Sequence, residues 1–204
     1  MKFSIIMPSY LGKYKNRAKD VDKKIVRAIN SVIAQTFTDW ELIIVSDGCD
    51  KTDEIVAEVE DERVRGLRIN KQGMFSGTPR NVGIKYAKGE YIVYLDVDDM
   101  FGENHLQVIN DQITTYDWYW FDDRSWDGGI NDFAIHRVGI DKPGSAGTSN
   151  ICHRRDLGVW WTEKLSYLHD WLFIVSLKQK TNNFTYLEKV PMYQICHVPR
   201  LLDV

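Results

Sequence analysis

Through the first half of the chain, short apolar runs alternate with stretches in which apolar residues recur at helical spacing. The alternation predicts parallel strands joined by crossover helices, in a βαβαβαβ order. Strands are expected at Lys2 to Met7, Glu41 to Val45, Val64 to Ile69 and Tyr91 to Leu95. Each is short and apolar enough to be covered on both faces. Between the first two, Val21, Ile25, Val26, Ile29, Val32 and Ile33 recur on one helical face, and Asp20 is placed to cap its start. A shorter helix carries Ile55, Val56 and Val59. A third opens at Thr78-Pro79, with the hydroxyl as cap and proline at the first helical position, and Gly89 ends it.

Near residue 114 the regular pattern gives way to an aromatic run, Trp118-Tyr119-Trp120-Phe121, a turn at Asp127-Gly128-Gly129, and a Gly/Pro/Ser stretch over Lys142 to Gly147. A helix near Asp170 to Lys180 and a strand near Pro191 to His197 follow. The expected fold is α/β: one domain over 1–204, with a Rossmann-type, mostly parallel sheet in 1–113 and a smaller, irregular mixed half in 114–204. A length of 204 residues at 44% hydrophobic suits one well-packed domain. The net charge of -3 gives no electrostatic footprint for nonspecific nucleic-acid binding. Cys49, Cys152 and Cys196 form no Cys-x-x-Cys pair, so neither a disulfide framework nor a zinc site is suggested. The run after Met1-Lys2 is too short for a secretory signal, and no window approaches the roughly 20 apolar residues of a membrane span. A cytoplasmic protein is expected, peripheral to the inner face of a membrane at most.

In an open α/β sheet, ligands bind beyond the carboxyl ends of the strands. The polar residues gather there: Pro8-Ser9-Tyr10 after the first strand, Ser46-Asp47-Gly48 after the second, Asp96-Val97-Asp98-Asp99 after the fourth. Carboxylates crowded this closely repel unless a cation or proton lies between them, so a hard divalent ion, Mg²⁺ or Mn²⁺, is one explanation. The other is that Asp98-Asp99 caps a helix starting near Gly102.

Five ordered blocks carry a resemblance. They are Phe3 to Tyr10, Ala28-Ile29-Asn30-Ser31-Val32, Gln35 to Gly48, Arg80-Asn81-Val82-Gly83 and Gly89 to Asp99. Together they resemble the family 2 glycosyltransferases of GT-A fold, which use nucleotide-diphosphate sugars and usually invert the anomeric centre. The likeness is dense over residues 3 to 113 and sparse beyond. It implies a nucleotide-sugar-binding half in 1–113 and an acceptor-binding half in 114–204. A UDP-sugar is the favoured donor, and a glycan or lipid-linked glycan the favoured acceptor, with the oligomeric state open.

The resemblance puts Pro8, Ser9, Tyr10 and Asp47 around the base and ribose, Arg80 and Asn81 near the nucleotide and donor sugar, and Asp96 and Asp98 on the nucleotide. Asp98 and Asp99 are the implied metal ligands, with His197 of Met192-Tyr193-Gln194-Ile195-Cys196-His197 as a third. Asp170 in Leu168-His169-Asp170-Trp171 is the implied general base, although His169 stands where the family has Glu. Each has a plainer reading: Tyr10 in packing, Asp47 in a turn, Arg80 as a solvated charge, Asp170 as a helix cap, His197 as a structural histidine. Trp160-Trp161 and the run from Trp118 either floor an acceptor site or pack the core. The basic segment Gly12 to Lys19 either grips phosphates or is solvated. A nucleotidyltransferase and a non-catalytic nucleotide- or glycan-binding module are the alternatives in function.

Overall fold

The computed structural model describes residues 1–13, 20–72, 76–126, 133–136, 138–164 and 167–194. In chain order the elements are β1 (Phe3–Ser9), α1 (Val21–Ile33), β2 (Trp40–Asp47), α2 (Asp50–Ala57), β3 (Val64–Ile69), α3 (Gly77–Tyr86), β4 (Tyr91–Tyr94) and β5 (Met100–Phe101). Then come α4 (His105–Gln112), β6 (Trp118–Phe121), β7 (Asp123–Trp126), β8 (Phe133–His136), β9 (Ile151–Arg154), α5 (His169–Lys180), β10 (Phe184–Leu187) and β11 (Met192–Gln194). The seven-stranded sheet has the order β10-β6-β9-β4-β1-β2-β3, and only β9 runs against the rest. A four-stranded sheet, β5-β11-β7-β8, lies apart from it.

β1 and β2 are buried along their whole length, as expected of strands covered on both faces. Phe3, Ile5 and Met7 pack with α1 and α4 in one apolar cluster, while Ile6, Ile43 and Val45 pack with Ile84 of α3 and Phe173 of α5 in another. α1 buries Val21, Lys24, Ile25, Ala28, Ile29 and Val32. Val26 is an exception to the expected face: it lies about 140° around the helix from Val21 and is 43% exposed.

The aromatic run forms β6 and is core, its residues alternating between the two clusters as a strand's period dictates. Trp118 lies against Phe184, ring centroids 4.5 Å apart. No sequence pattern marks β10, a four-residue strand whose only sheet neighbour among the described residues is β6.

Three boundary expectations are corrected. Asp20 sits in the left-handed region and its side chain makes no capping bond; its main-chain oxygen accepts from Lys23 and Lys24 instead. α3 begins at Gly77 after Ser76, so Thr78 is not its cap, and Pro79 falls within the first turn. α3 closes at Tyr86, so Gly89 does not end it. Gly89 passes the backbone of β1 so closely that a Cβ there would lie 2.5 Å from Ser4 N. Asp127-Gly128-Gly129, His197 and Tyr14 to Lys19 lie outside the described residues.

Two core histidines make the fold acid-sensitive. Burial lowers His105 to about 3 and His153 to about 4, partly offset by the carbonyls of Pro191 and Arg154. His153 Nδ1 donates to Arg154 O at 3.0 Å, which leaves Nε2 to accept from the Tyr94 hydroxyl at 2.8 Å. Unfolded, both would titrate near ~6.5, so below that pH the unfolded chain binds more protons than the folded one. The thermal midpoint should therefore fall as pH drops from about 6.5 toward about 4. A midpoint that stays flat across this window in an acid titration would contradict the assignment.

Candidate active site

The crevice opens where β1 and β4 part. Their pairing ends at Ile6↔Tyr94, with Leu95 N donating to Ile6 O at 3.2 Å. Strand alternation sends the main chain of residue 8 to the same side as residue 6, toward a neighbour that has left. A proline, which has no N–H to satisfy, suits that position in an otherwise central strand.

At the end of β1 the buried Ser9 hydroxyl meets Thr52 Oγ1 at 2.8 Å. At the end of β2 the buried Asp47 accepts the Gln72 N–H on Oδ1 at 2.6 Å and the Lys71 ammonium on Oδ2 at 2.6 Å. The same ammonium lies 4.2 Å from the centre of the Tyr10 ring. Tyr10 and Asp47, both expected around the base and ribose, thus meet through Lys71, which no local pattern singles out. Gly48 permits this closure: its φ is +66°, and a Cβ would lie 2.7 Å from Lys71 N.

Beyond β4 the chain turns on a bond from Asp99 N to Asp96 O, 3.1 Å long. The alternative reading of Asp98-Asp99 as a helix cap fails, because β5 intervenes and the residue before α4 is Asn104. Asp99 is buried, and the Asp98 carbonyl accepts Arg27 Nη2 from α1 at 2.9 Å. Among the described residues no three His, Cys, Asp or Glu converge on one point. The donor set nonetheless suits Mg²⁺ or Mn²⁺, since such ions are commonly held by one or two carboxylates plus substrate phosphate oxygens.

Arg80 is not a solvated charge. It is 2% exposed, donates through Nη2 to Asp96 Oδ1 at 3.0 Å, and lies 4.6 Å from the centre of the Trp161 ring. Its Nε and Nη1 have no protein partner among the described residues. A buried guanidinium left two-thirds unsatisfied costs stability, so a site that keeps one is reserved for something else. Asn81 beside it is committed elsewhere: its amide exchanges bonds with Trp161 N and O at 2.8 and 3.0 Å and reaches Glu163 at 3.2 Å. Asn81 thereby ties α3 to the 161–163 segment. Trp161 stacks on Phe173 of α5 at 3.9 Å, while Trp160 is 49% exposed.

Asp170 lies in the first turn of α5, and its Oδ1 accepts from Thr148 Oγ1 at 2.6 Å and stands 3.0 Å from His169 Nδ1. Burial pushes its carboxyl up. The His169 ring beside it, the Arg80 charge and the Thr148 hydroxyl together outweigh burial and hold it below its ordinary value. Asp170 is thus ionised at neutral pH and tied electrostatically to Arg80, which in turn holds Asp96.

A parallel β3-β2-β1-β4 unit with carboxylates at its strand ends, extended through β9 to β6 and β10, is the GT-A glycosyltransferase fold. The chain belongs to glycosyl transferase family 2, whose sequence profile matches residues 4–176. It is similar to the UDP-Glc:alpha-D-GlcNAc-diphosphoundecaprenol beta-1,3-glucosyltransferase WfgD of Escherichia coli, 36% identical over 106 residues, 52% of this chain and 38% of that one. The poly(ribitol-phosphate) beta-N-acetylglucosaminyltransferase TarP of Staphylococcus aureus is 34% identical over 110 residues, 52% and 31% of the two chains. Among solved structures, S. aureus TarS with UDP-GlcNAc aligns at a TM-score of 0.74 and 23% identity, covering 95% of this chain and 58% of that one. The mannosyltransferase PcManGT of Pyrobaculum calidifontis, with GDP-Man and Mn²⁺, aligns at 0.70 and 14% identity over 98% and 58%. At these identities the structures speak for the fold alone. The chain spans about a third of the curated relatives' length.

Proposed function

We propose that this chain transfers a glycosyl group from a nucleotide-diphosphate sugar, a UDP-sugar favoured, to an acceptor hydroxyl, inverting the anomeric centre in one displacement. The observation that carries this reading is the buried Arg80, bonded to Asp96 at the end of β4 and electrostatically coupled to Asp170 on α5. It links the side of the crevice that would face the leaving group to the side that would hold the base. The UDP-Glc named for WfgD and the UDP-GlcNAc bound by TarS support the choice of nucleotide.

Residues 1–113 bind the donor in this reading, with Pro8, Ser9, Tyr10 and Asp47 around base and ribose and Arg80, Asp96 and Asp98 along the nucleotide and sugar. Residues 114–204 receive the acceptor, with a glycan or lipid-linked glycan favoured. Among the described residues no helix is long and apolar enough to cross a membrane. Asp98 and Asp99 hold Mn²⁺ or Mg²⁺, which when bound supplies Lewis-acid stabilisation to the departing diphosphate. In the transfer, Asp170 accepts the acceptor's hydroxyl proton as that oxygen bonds to the anomeric carbon, and the carbon–oxygen bond to the diphosphate breaks with its electron pair on the diphosphate.

Product analysis tests this reading. Incubation with a panel of UDP-sugars and Mn²⁺ should release UDP, by transfer or by slow hydrolysis. No UDP from any UDP-sugar, but pyrophosphate from UTP supplied with a sugar 1-phosphate, would instead make the chain a nucleotidyltransferase.

A further inference from the structure

We infer that Thr148 is the positioning residue of the proposed base and that Asp170 delivers its basicity through one oxygen only. The inference rests on the reading of Asp170 as base. Among the described residues both contacts of the Asp170 carboxylate fall on Oδ1: the Thr148 hydroxyl at 2.6 Å and His169 Nδ1 at 3.0 Å. Among the described residues Oδ2 has no partner, so it is the atom left to take the acceptor's proton. A carboxylate with two equivalent oxygens can rotate and present either one; a short hydroxyl bond to Oδ1 removes that freedom and fixes which oxygen is offered.

Thr148 is itself held by structure rather than by sequence neighbours. It lies in a single 3₁₀ turn, Thr148–Asn150, entering β9, and is 4% exposed. Asn150 closes that turn by accepting Gly147 N on Oδ1 at 2.9 Å, while its amide donates to the buried Asp123 at 3.0 Å, the first residue of β7. The hydroxyl that orients the base is therefore anchored to β9 of the larger sheet and β7 of the smaller, whereas the base rides on α5. This arrangement also gives His169 a role where the family's Glu would place a second anion: it brings a ring nitrogen to the same Oδ1. The groups that face Asp170 are Thr148 from the turn, His169 from its own helix and Arg80 from α3, and all of them favour the carboxylate form.

The test compares Thr148→Val and Thr148→Ser with the parent chain by two readouts. The first is a pH titration of the Asp170 side-chain carboxyl by ¹³C NMR, which needs no donor. Valine should move its pKa upward toward the ordinary value and serine should restore it. The second is UDP release from UDP-glucose and UDP-GlcNAc, where valine should lower kcat roughly 10- to 100-fold at unchanged donor KM, with serine recovering most of it. An Asp170 titration unaltered in Thr148→Val would overturn the inference. So would equal impairment of both variants with a lowered thermal midpoint, which marks a packing role. If Asp170→Asn released UDP at the parent rate, the base assignment itself would fall and this inference with it.

Discussion

Asp170→Asn is expected to lower kcat by about 10²- to 10⁴-fold while leaving the affinity for a UDP-sugar unchanged. The substitution keeps the shape of the side chain and its place in the first turn of α5 but removes the charge that accepts a proton. The Thr148 hydroxyl can still donate to the amide oxygen, so the geometry should survive where the chemistry does not. The pH profile of the parent enzyme should agree. A base held below its ordinary value keeps kcat/KM level on the acid side until pH falls through that lowered value, provided the fold's own acid limit, set by His105 and His153, is not reached first. Single-turnover rates beside equilibrium titrations of the donor separate the two effects. A fully active Asn variant would remove Asp170 from the mechanism.

Arg80→Met should separate activity from stability. A buried guanidinium with two nitrogens unpartnered contributes little to folding, and its acidic neighbours Asp96 and Asp170 keep 37% and 26% side-chain exposure, so removing the cation strands no fully buried anion. The thermal midpoint of Arg80→Met is therefore expected to hold or rise. Transfer should fall about 10²-fold, because Asp96 loses its tether and Asp170 loses the cation that favours its ionised form. Calorimetry and UDP release on the same preparation check both halves. A variant that unfolds early yet turns over normally when folded would make Arg80 a structural cation instead.

What could be read from the sequence follows from how far apart the interacting residues lie. Strand positions in β1 to β4 were legible because strands buried on both faces must be apolar throughout, and the abrupt change to Ser9-Tyr10, Ser46-Asp47 and Asp96-Val97-Asp98-Asp99 marks their carboxyl ends. The long-range partnerships were not legible. Asn81 meets Trp161 across 80 positions, and Thr148 meets Asp170 across 22. Nothing local distinguishes an Asn near a helix's start that grips a distant backbone from one that faces a ligand. The same holds for Gly89, which reads as a helix stop but is demanded by the passage of β1, and for Lys71, whose partner Asp47 lies on another strand. Arg80 was misread in its plainer alternative for the same reason, since burial of a first-turn arginine depends on Trp161 folding over it.

The claim on which the rest depends is that the carboxylates beyond β4 and the residues beyond β1 and β2 form one nucleotide-sugar site. Thermal shift with a panel of UDP-sugars, with and without Mn²⁺, measures it most directly. A donor present at about 100 times its Kd should stabilise the folded chain by about 2.7 kcal/mol, or roughly 5–10 °C at this size. The account predicts a shift of that order that needs Mn²⁺ and is lost in Asp98→Ala and Asp99→Ala. No shift with any UDP-sugar, or a shift that survives both substitutions, would contradict it.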